Sequence, residues 1–137
     1  MTGVERTALL SLGSNLGPAE RIFEAARQAL AREPGVTLLA ASPVERSAAL
    51  GPTQPVFANQ LLRLRTSLPA PTLLALLQAI ERRLGRRAHH RRWGPRILDL
   101  DLLAYDERRH LDAHLRLPHP GLGRGYLRPL LDALEEG

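Results

Sequence analysis

The segment WGPRILDLDLL, Trp93 to Leu103, places two aspartates in alternation inside an apolar run that otherwise predicts a buried β-strand. Successive side chains of a strand point to opposite faces. The face predicted to carry both acids consists of Ile97, Asp99, Asp101, Leu103 and Tyr105. The opposite face, which is wholly apolar, consists of Leu98, Leu100, Leu102 and Ala104. The segment is too apolar for an ordinary exposed edge strand, so its two acids need an explanation.

The two aspartates predict a metal site. Asp99 and Asp101 are next neighbours on one face, with Cα atoms roughly 7 Å apart. Aspartate is depleted in strands, and two like charges side by side repel unless a cation lies between them. Carboxylate oxygens are hard ligands of the kind that Mg²⁺ prefers, so we expect Mg²⁺. The alternative is a solvent-exposed strand face that carries acids by chance, but the apolar opposite face favours the metal site.

The positive charge of the chain is concentrated immediately before this segment. The net charge is +5, and every one of the 19 basic residues is arginine. Seven arginines lie between Arg82 and Arg96, whereas the remaining 12 face 14 acids elsewhere. Biased codon usage explains arginine in place of lysine but not the clustering. Clustered planar, bidentate donors are typical of phosphate recognition, in either a nucleotide or a nucleic acid.

Length and composition predict one domain, residues 1–137. No apolar run approaches the ~20 residues of a membrane span, and the start, MTGVERTALL, lacks the pattern of a secretory signal. The absence of cysteine excludes disulfides and thiolate metal sites and suits the cytoplasm. We therefore expect a cytoplasmic protein without a membrane span.

Hydrophobic periodicity and turn residues predict an alternation of strands and helices. Strands are predicted at residues 7–12, 36–41 and 57–66 and in the aspartate segment. Helices are predicted from Pro18 to a stop at Pro34-Gly35 and from Pro71 to Gly85. Residues 13–17 and 47–55 read as a turn and an irregular loop, and a hairpin turn at 106–109 leads into a strand at 111–117.

Side-chain spacing and element order predict the fold. Leu62 and Leu64 should share one strand face, and the second helix should bury one stripe formed by Leu73, Leu77, Ile80 and Leu84. The order βαββαβ predicts an α+β, ferredoxin-like sandwich: a mainly antiparallel sheet with helices packed on it and an added C-terminal hairpin. This fold hosts enzymes and RNA-binding modules alike, so it decides nothing about function.

Five segments carry a resemblance to a known family. They are GSNLG (13–17), LGPTQPVFAN (50–59), QAIERRLGR (78–86), RWGPRILDLDLL (92–103) and LPHPGLGRGYLRPL (117–130). In this order and spacing they closely resemble 6-hydroxymethyl-7,8-dihydropterin pyrophosphokinase of folate biosynthesis. The resemblance implies transfer of the β,γ-pyrophosphoryl group of ATP to the hydroxymethyl oxygen of the pterin, with AMP leaving.

The resemblance also implies a role for individual residues. Asp99 and Asp101 match a pair that binds two Mg²⁺ ions, and Arg86 and Arg96 match catalytic arginines. The residues that match the pterin pocket are Leu50, Phe57, Asn59, Trp93 and Tyr126. The residues that match the ATP site are Gln78, Glu81, Arg92, Leu102, His119 and Arg124.

Some of these residues also have an ordinary interpretation. Phe57 stands at a strand start, where a core position is nearly as plausible as a pterin contact. Gln78 and Glu81 lie three apart on one helix face and could form a solvent-facing polar stripe. The clustered arginines could coat the surface. If they grip phosphate instead, residues 85–95 should close over bound ATP and carry Arg86 and Arg92 inward.

Two other functions are compatible with parts of the sequence. An RNA-binding module would use the arginines on phosphates, but such modules stack bases on aromatic side chains of the central strands, and residues 8–12 have none. A metal-dependent glycosyl or nucleotidyl transferase could also be built around a DxD pair, although the flanking motifs argue against it. We therefore expect ATP and the pterin as partners, no nucleic acid, no membrane, and a monomer.

Overall fold

The computed structural model describes residues 4–14, 19–47, 57–85, 98–106, 110–111, 116–117 and 128–136. The first half of the described chain contains β1 (Arg6–Ser14), α1 (Ala19–Ala31), β2 (Val36–Ala41), β3 (Glu45–Ser47) and β4 (Phe57–Thr66). The second half contains α2 (Ala70–Gly85), β5 (Asp99–Tyr105), β6 (His110–Leu111), β7 (Arg116–Leu117) and α3 (Arg128–Glu136). The predicted strands at 7–12, 36–41 and 57–66 and the two predicted helices are confirmed. The strand predicted in the aspartate segment is confirmed over its described part, where β5 begins at Asp99.

The main sheet is open and antiparallel, with the strand order β2-β4-β1-β5 and the short β3 paired to β4. The chain is therefore an α+β protein, as its element order predicts. The first strand of the sequence lies inside the sheet, between β4 and β5. This central position places β1 against both the strand with Asn59 and the strand with the two aspartates.

Helices cover both faces of this sheet. The larger core cluster joins α1 and α2 to one face, and its helix residues include Phe23, Leu30, Leu73 and Leu77, each fully buried. The helix stripe predicted for α2 is confirmed, since Leu84 packs at the margin of this cluster. A smaller cluster joins α3 to the other face and consists of Leu61, Leu103, Leu130 and Leu134.

Gly35 forms the turn between α1 and β2. Its φ of 83° lies in the left-handed region that side chains rarely adopt, and a Cβ there would lie 2.8 Å from the Ser67 hydroxyl. The Gly35 carbonyl accepts hydrogen bonds from the Ser67 N–H at 3.0 Å and the Thr66 hydroxyl at 2.7 Å. The turn thereby holds the start of β2 against the end of β4.

Four sequence-based expectations need correction. First, β5 does not alternate along its whole length: Leu10 pairs with Leu102 and Leu9 with Ala104, which leaves Leu103 as an extra residue. Tyr105 consequently lies in the larger core, on the face opposite the aspartates, and not beside them as predicted. Second, the predicted turn at 13–17 begins later, because Gly13 and Ser14 belong to β1.

Third, β3 and α3 are not among the predicted elements. Fourth, β6 and β7 pair with each other in a sheet of their own and lie at the two ends of the single strand predicted at 111–117. The intervening residues 112–115 lie outside the described part of the chain, so the C-terminal hairpin stays a prediction. Within the described ranges, the helices are too short or too polar to cross a membrane.

Candidate active site

One row of residues crosses three strands on the sheet face that α3 shares. Gly13 of β1 pairs with Asn59 of β4 on one side and with Asp99 of β5 on the other. Adjacent strands lie about 4.8 Å apart, so the Cα atoms of Asn59 and Asp99 are separated by about 10 Å. Because Gly13 has no side chain, we interpret the row as the floor of a groove with an amide on one side and a carboxylate on the other.

A second row lies next to the first. Ser11 of β1 pairs with Leu61 on one side and with Asp101 on the other. Asp99 and Asp101 are both partly exposed, whereas Leu98, Leu100 and Leu102 between and beside them are buried. The alternation predicted for this part of β5 is confirmed, and it brings both carboxylates to one face.

The aspartate pair suits a magnesium ion that also binds phosphate. Mg²⁺ is usually held by one or two carboxylates together with waters and substrate phosphate oxygens. Within the described residues, no group of three or more histidine, cysteine, aspartate or glutamate side chains gathers into a complete protein cage. Asp99 and Asp101 are therefore a donor set of the right chemical kind for a shared protein and substrate site.

Asn59 is the most unusual polar residue of this face. It is only 5% exposed, yet its side chain forms no hydrogen bond with any other residue in the described ranges. A buried polar group without a partner costs about 1–3 kcal/mol, so such a group in a folded protein calls for an explanation. A ligand that binds the amide in the groove would supply the missing partner.

Glu81 and Gln78 lie about one turn apart on α2. The Glu81 carboxylate accepts a hydrogen bond from the Leu100 N–H at 2.7 Å, and Gln78 is exposed.

Leu102 is buried in the larger core. It is 1% exposed and lies on the sheet face opposite the aspartates. Its side chain is therefore not brought together with Asp99 and Asp101, and its predicted nucleotide contact stays a prediction.

An exposed ion pair links two segments near the groove. The Arg46 guanidinium of β3 donates to the Glu20 carboxylate in the first turn of α1. This hydrogen bond lowers the pKa of Glu20 below its usual value. The contact ties the start of α1 to β3, the strand that leads into the irregular loop predicted at residues 47–55. The sequence contains no local signal for it, because the two residues lie far apart in the chain.

Several predicted site residues lie outside the described part of the chain, and their roles stay predictions. They are Leu50, Arg86, Arg92, Trp93, Arg96, His119, Arg124 and Tyr126. The predicted closing segment at 85–95 is likewise outside, except for Gly85 at the end of α2. Phe57 is described as the first residue of β4. Gly13 and Ser11 were not predicted as site residues, since only strand register reveals what lies beside the aspartates.

Comparison with known proteins gives a consistent result. A family model described as 7,8-dihydro-6-hydroxymethylpterin-pyrophosphokinase matches residues 9–134. A Synechocystis protein named 2-amino-4-hydroxy-6-hydroxymethyldihydropteridine pyrophosphokinase is 42% identical over 113 residues, which is 82% of this chain and 57% of that protein. Proteins of the same name from Methylorubrum extorquens and Pseudomonas aeruginosa are 40% and 43% identical, over 82% and 80% of this chain and 71% and 68% of their own lengths.

Proposed function

This chain belongs to the 7,8-dihydro-6-hydroxymethylpterin-pyrophosphokinase family, and on that premise we propose that it transfers the β,γ-pyrophosphoryl group of ATP to 6-hydroxymethyl-7,8-dihydropterin in folate biosynthesis. The hydroxymethyl oxygen forms a bond to the β-phosphorus while the bond to the α,β-bridging oxygen breaks. AMP leaves, the hydroxyl proton is released, and the pterin pyrophosphate is the product. The observation that carries the proposal is the row Asn59, Gly13 and Asp99, which combines a ring-binding amide with a phosphate-side carboxylate.

On the acceptor side, Asn59 is proposed to bind the pterin edge. The edge of a pterin presents both a donor and an acceptor, and an asparagine amide offers the complementary pair. The burial of Asn59 and the lack of a hydrogen-bond partner among the described residues support this role. Leu50, Phe57, Trp93 and Tyr126 complete the proposed pocket, with aromatic faces for the flat ring.

On the phosphate side, Asp99 and Asp101 are proposed to hold two Mg²⁺ ions. When bound, the metal neutralises charge on the phosphate oxygens and increases the acidity of the attacking hydroxyl. The protein itself contributes the orientation: β5 fixes both carboxylates on the groove face, with Asp99 in the row of Asn59 and Asp101 in the next row. This arrangement holds the acceptor and the phosphates side by side, which is the main requirement of phosphoryl transfer.

Arginine side chains are proposed to bind the negative charge of the phosphates that the metal does not neutralise. Arg86 and Arg96 are assigned to the charge that builds up on the transferred group, because preorganised donors stabilise the transition state. Arg82 and Arg83, in the last turn of α2, are both exposed and extend the positive field toward the same end of the sheet. Nucleotide contacts are proposed for Gln78, Glu81, Arg92, Leu102, His119 and Arg124.

The finer structural expectations also remain proposals. A ferredoxin-like fold is supported by the order β2-β4-β1-β5, with β1 and β4 at the centre and a helix after β1 and after β4. A cytoplasmic location, which the absence of cysteine suits, and a monomeric state are also proposed.

The proposal is tested by mixing the protein with ATP, Mg²⁺ and hydroxymethyldihydropterin and measuring the adenine nucleotides by chromatography. We expect AMP in a one-to-one ratio with pterin pyrophosphate, and no AMP without the pterin or the metal. Formation of ADP, or AMP formation that does not depend on the pterin, would overturn the proposed reaction. Binding of RNA at physiological salt without any turnover would favour the RNA-binding alternative instead.

A further inference from the structure

Glu81 connects helix α2 to the strand that carries the two aspartates. Its Oε2 accepts a hydrogen bond from the main-chain N–H of Leu100 at 2.7 Å. Leu100 is the residue between Asp99 and Asp101, so the helix side chain holds the strand at the midpoint of the aspartate pair. The side chains of Asp99 and Asp101 lie on the sheet face away from the core that α2 helps to form. Glu81 therefore acts on the backbone of β5 from the other side of the sheet.

The position of β5 in the sheet gives this contact its importance. In the described sheet, β5 stands at the end of the strand order and pairs with β1 alone. The backbone N–H groups on the outer side of a terminal strand have no partner in the ladder of the described sheet, so a side-chain acceptor can bind them there. A carboxylate acceptor is well suited to such a donor, because hydrogen bonds to an ionised group are roughly twice as strong as neutral ones.

Helix α2 also approaches the chain closely at Leu98, just before β5, one helical turn away from Glu81. A Cβ placed on Gly85 would lie 3.5 Å from the Cβ of Leu98 and 3.6 Å from its main-chain N and O. Glu81 and Gly85 are one helical turn apart, and Leu98 and Leu100 are one strand repeat apart. The helix and the strand are thus in contact at two successive positions. This keeps the Glu81 carboxylate close to the Leu100 N–H.

We propose that Glu81 is a positioning residue for the metal site, which sets the directions of the Asp99 and Asp101 carboxylates by holding the Leu100 N–H. The inference rests on the proposed role of these aspartates as Mg²⁺ ligands. Fixing the peptide between two ligands restricts the backbone angles on both sides of it, so both carboxylates point at one site. Partners that orient metal ligands usually contribute a factor of roughly 10–100 in metal affinity.

Two substitutions separate the hydrogen bond from the other properties of the side chain. Glu81→Gln keeps a carbonyl oxygen that can accept from the Leu100 N–H but removes the charge. Glu81→Met keeps the length and helix propensity of the side chain but removes the acceptor. The matched controls are Glu24→Gln and Glu24→Met, at an exposed position on α1. The full chain is used throughout, and a thermal melt of each variant establishes that it is folded.

Two measurements are made on each variant. Electron paramagnetic resonance measures the binding of Mn²⁺, as a probe for the metal, without nucleotide, so that the nucleotide contact proposed for Glu81 does not enter the result. Hydrogen exchange followed by NMR measures the protection of the Leu100 amide. We expect Glu81→Met to weaken Mn²⁺ binding roughly 10- to 100-fold and to accelerate exchange at Leu100. We expect Glu81→Gln to retain protection and to bind Mn²⁺ within about threefold of the unmodified protein.

The outcomes separate a failure of this inference from a failure of the proposed metal site. If Asp101→Asn binds Mn²⁺ normally, the proposed metal site itself fails. If Asp101→Asn loses Mn²⁺ binding but Glu81→Met does not, the positioning role alone is overturned. Equal losses in Glu81→Gln and Glu81→Met also overturn it, because the charge and not the hydrogen bond would then matter. If Glu81→Met does not fold, exchange at Leu100 in Glu81→Gln decides: retained protection supports the role, and fast exchange overturns it.

Discussion

Asn59 and Asp99 lie in one row of the sheet on either side of Gly13, so only a glycine separates a buried amide from a carboxylate on the same face. The two side chains come from strands that are not neighbours, and β1 between them sets their distance. The residue type at position 13 therefore decides whether a ligand can lie across the row and reach both groups.

A side chain at position 13 should block the groove. We expect Gly13→Val to lower kcat/KM for the pterin at least about tenfold, equivalent to about 1.4 kcal/mol of transition-state stabilisation, and Gly13→Ala to have a smaller effect. Valine is favoured in strands, so the fold should survive, which a thermal melt checks. Unchanged steady-state kinetics in a folded Gly13→Val protein would show that no substrate crosses this row.

Removal of one metal-binding carboxylate should abolish turnover. We expect Asp99→Asn or Asp101→Asn to reduce kcat by at least ~10³-fold, because a lost metal ligand costs several kcal/mol of transition-state stabilisation. Asp106→Asn, at the far end of β5, is the matched control; it removes an ion pair with Arg6 but should leave kcat intact. Near-normal activity of either variant, with Mg²⁺ as the only divalent metal, would contradict the assignment.

We expect the Asn59 amide to destabilise the unliganded protein and to strengthen pterin binding. We expect Asn59→Leu, which has a similar shape, to raise the free energy of unfolding of the unliganded protein by about 1 kcal/mol, since it removes a buried amide without a described partner. The same change should weaken pterin binding at least about tenfold in calorimetry, because a polar group that pairs with the ligand is lost. A variant that is destabilised and binds the pterin normally would instead indicate a structural role for the amide.

Tyr105 should contribute to stability and not to catalysis. Its hydroxyl donates a hydrogen bond to the Leu68 carbonyl at 2.6 Å, on the core side of the sheet. We expect Tyr105→Phe to lower the free energy of unfolding by about 1 kcal/mol in urea titrations, with kcat and both KM values unchanged. A selective loss of kcat without a change in stability would place Tyr105 near the substrates after all.

Periodicity was sufficient to predict the main strands and helices because their apolar positions repeat at strand or helix spacing. The same logic, applied to Leu130, Leu131 and Leu134, indicates the amphipathic helix α3. β3 gives no such signal, because three residues, Glu45 to Ser47, are too few to show a period. The shift at Leu103 is also invisible in the sequence, since Leu103 and its neighbours are apolar whichever face they occupy.

For the candidate site, the residue types were predictable and their surroundings were not. The alternation at Asp99 and Asp101 follows from strand geometry alone. Strand register, by contrast, sets Gly13 between Asn59 and Asp99, and register depends on pairing between distant segments. The partner of Glu81 is a backbone N–H, which every residue except proline has, so no residue type could reveal it.

The central position of β1 has a consequence for synthesis. β1 leaves the ribosome before both strands that pair with it, β4 and β5, which are made some fifty and ninety residues later. Until residue 105 has emerged, one edge of β1 has no strand to pair with, and the nascent chain carries an open, apolar edge of the kind that promotes association between chains. A ribosome that stalls before Asp99 would thus release a product with no aspartate pair and with one edge of β1 exposed to other chains.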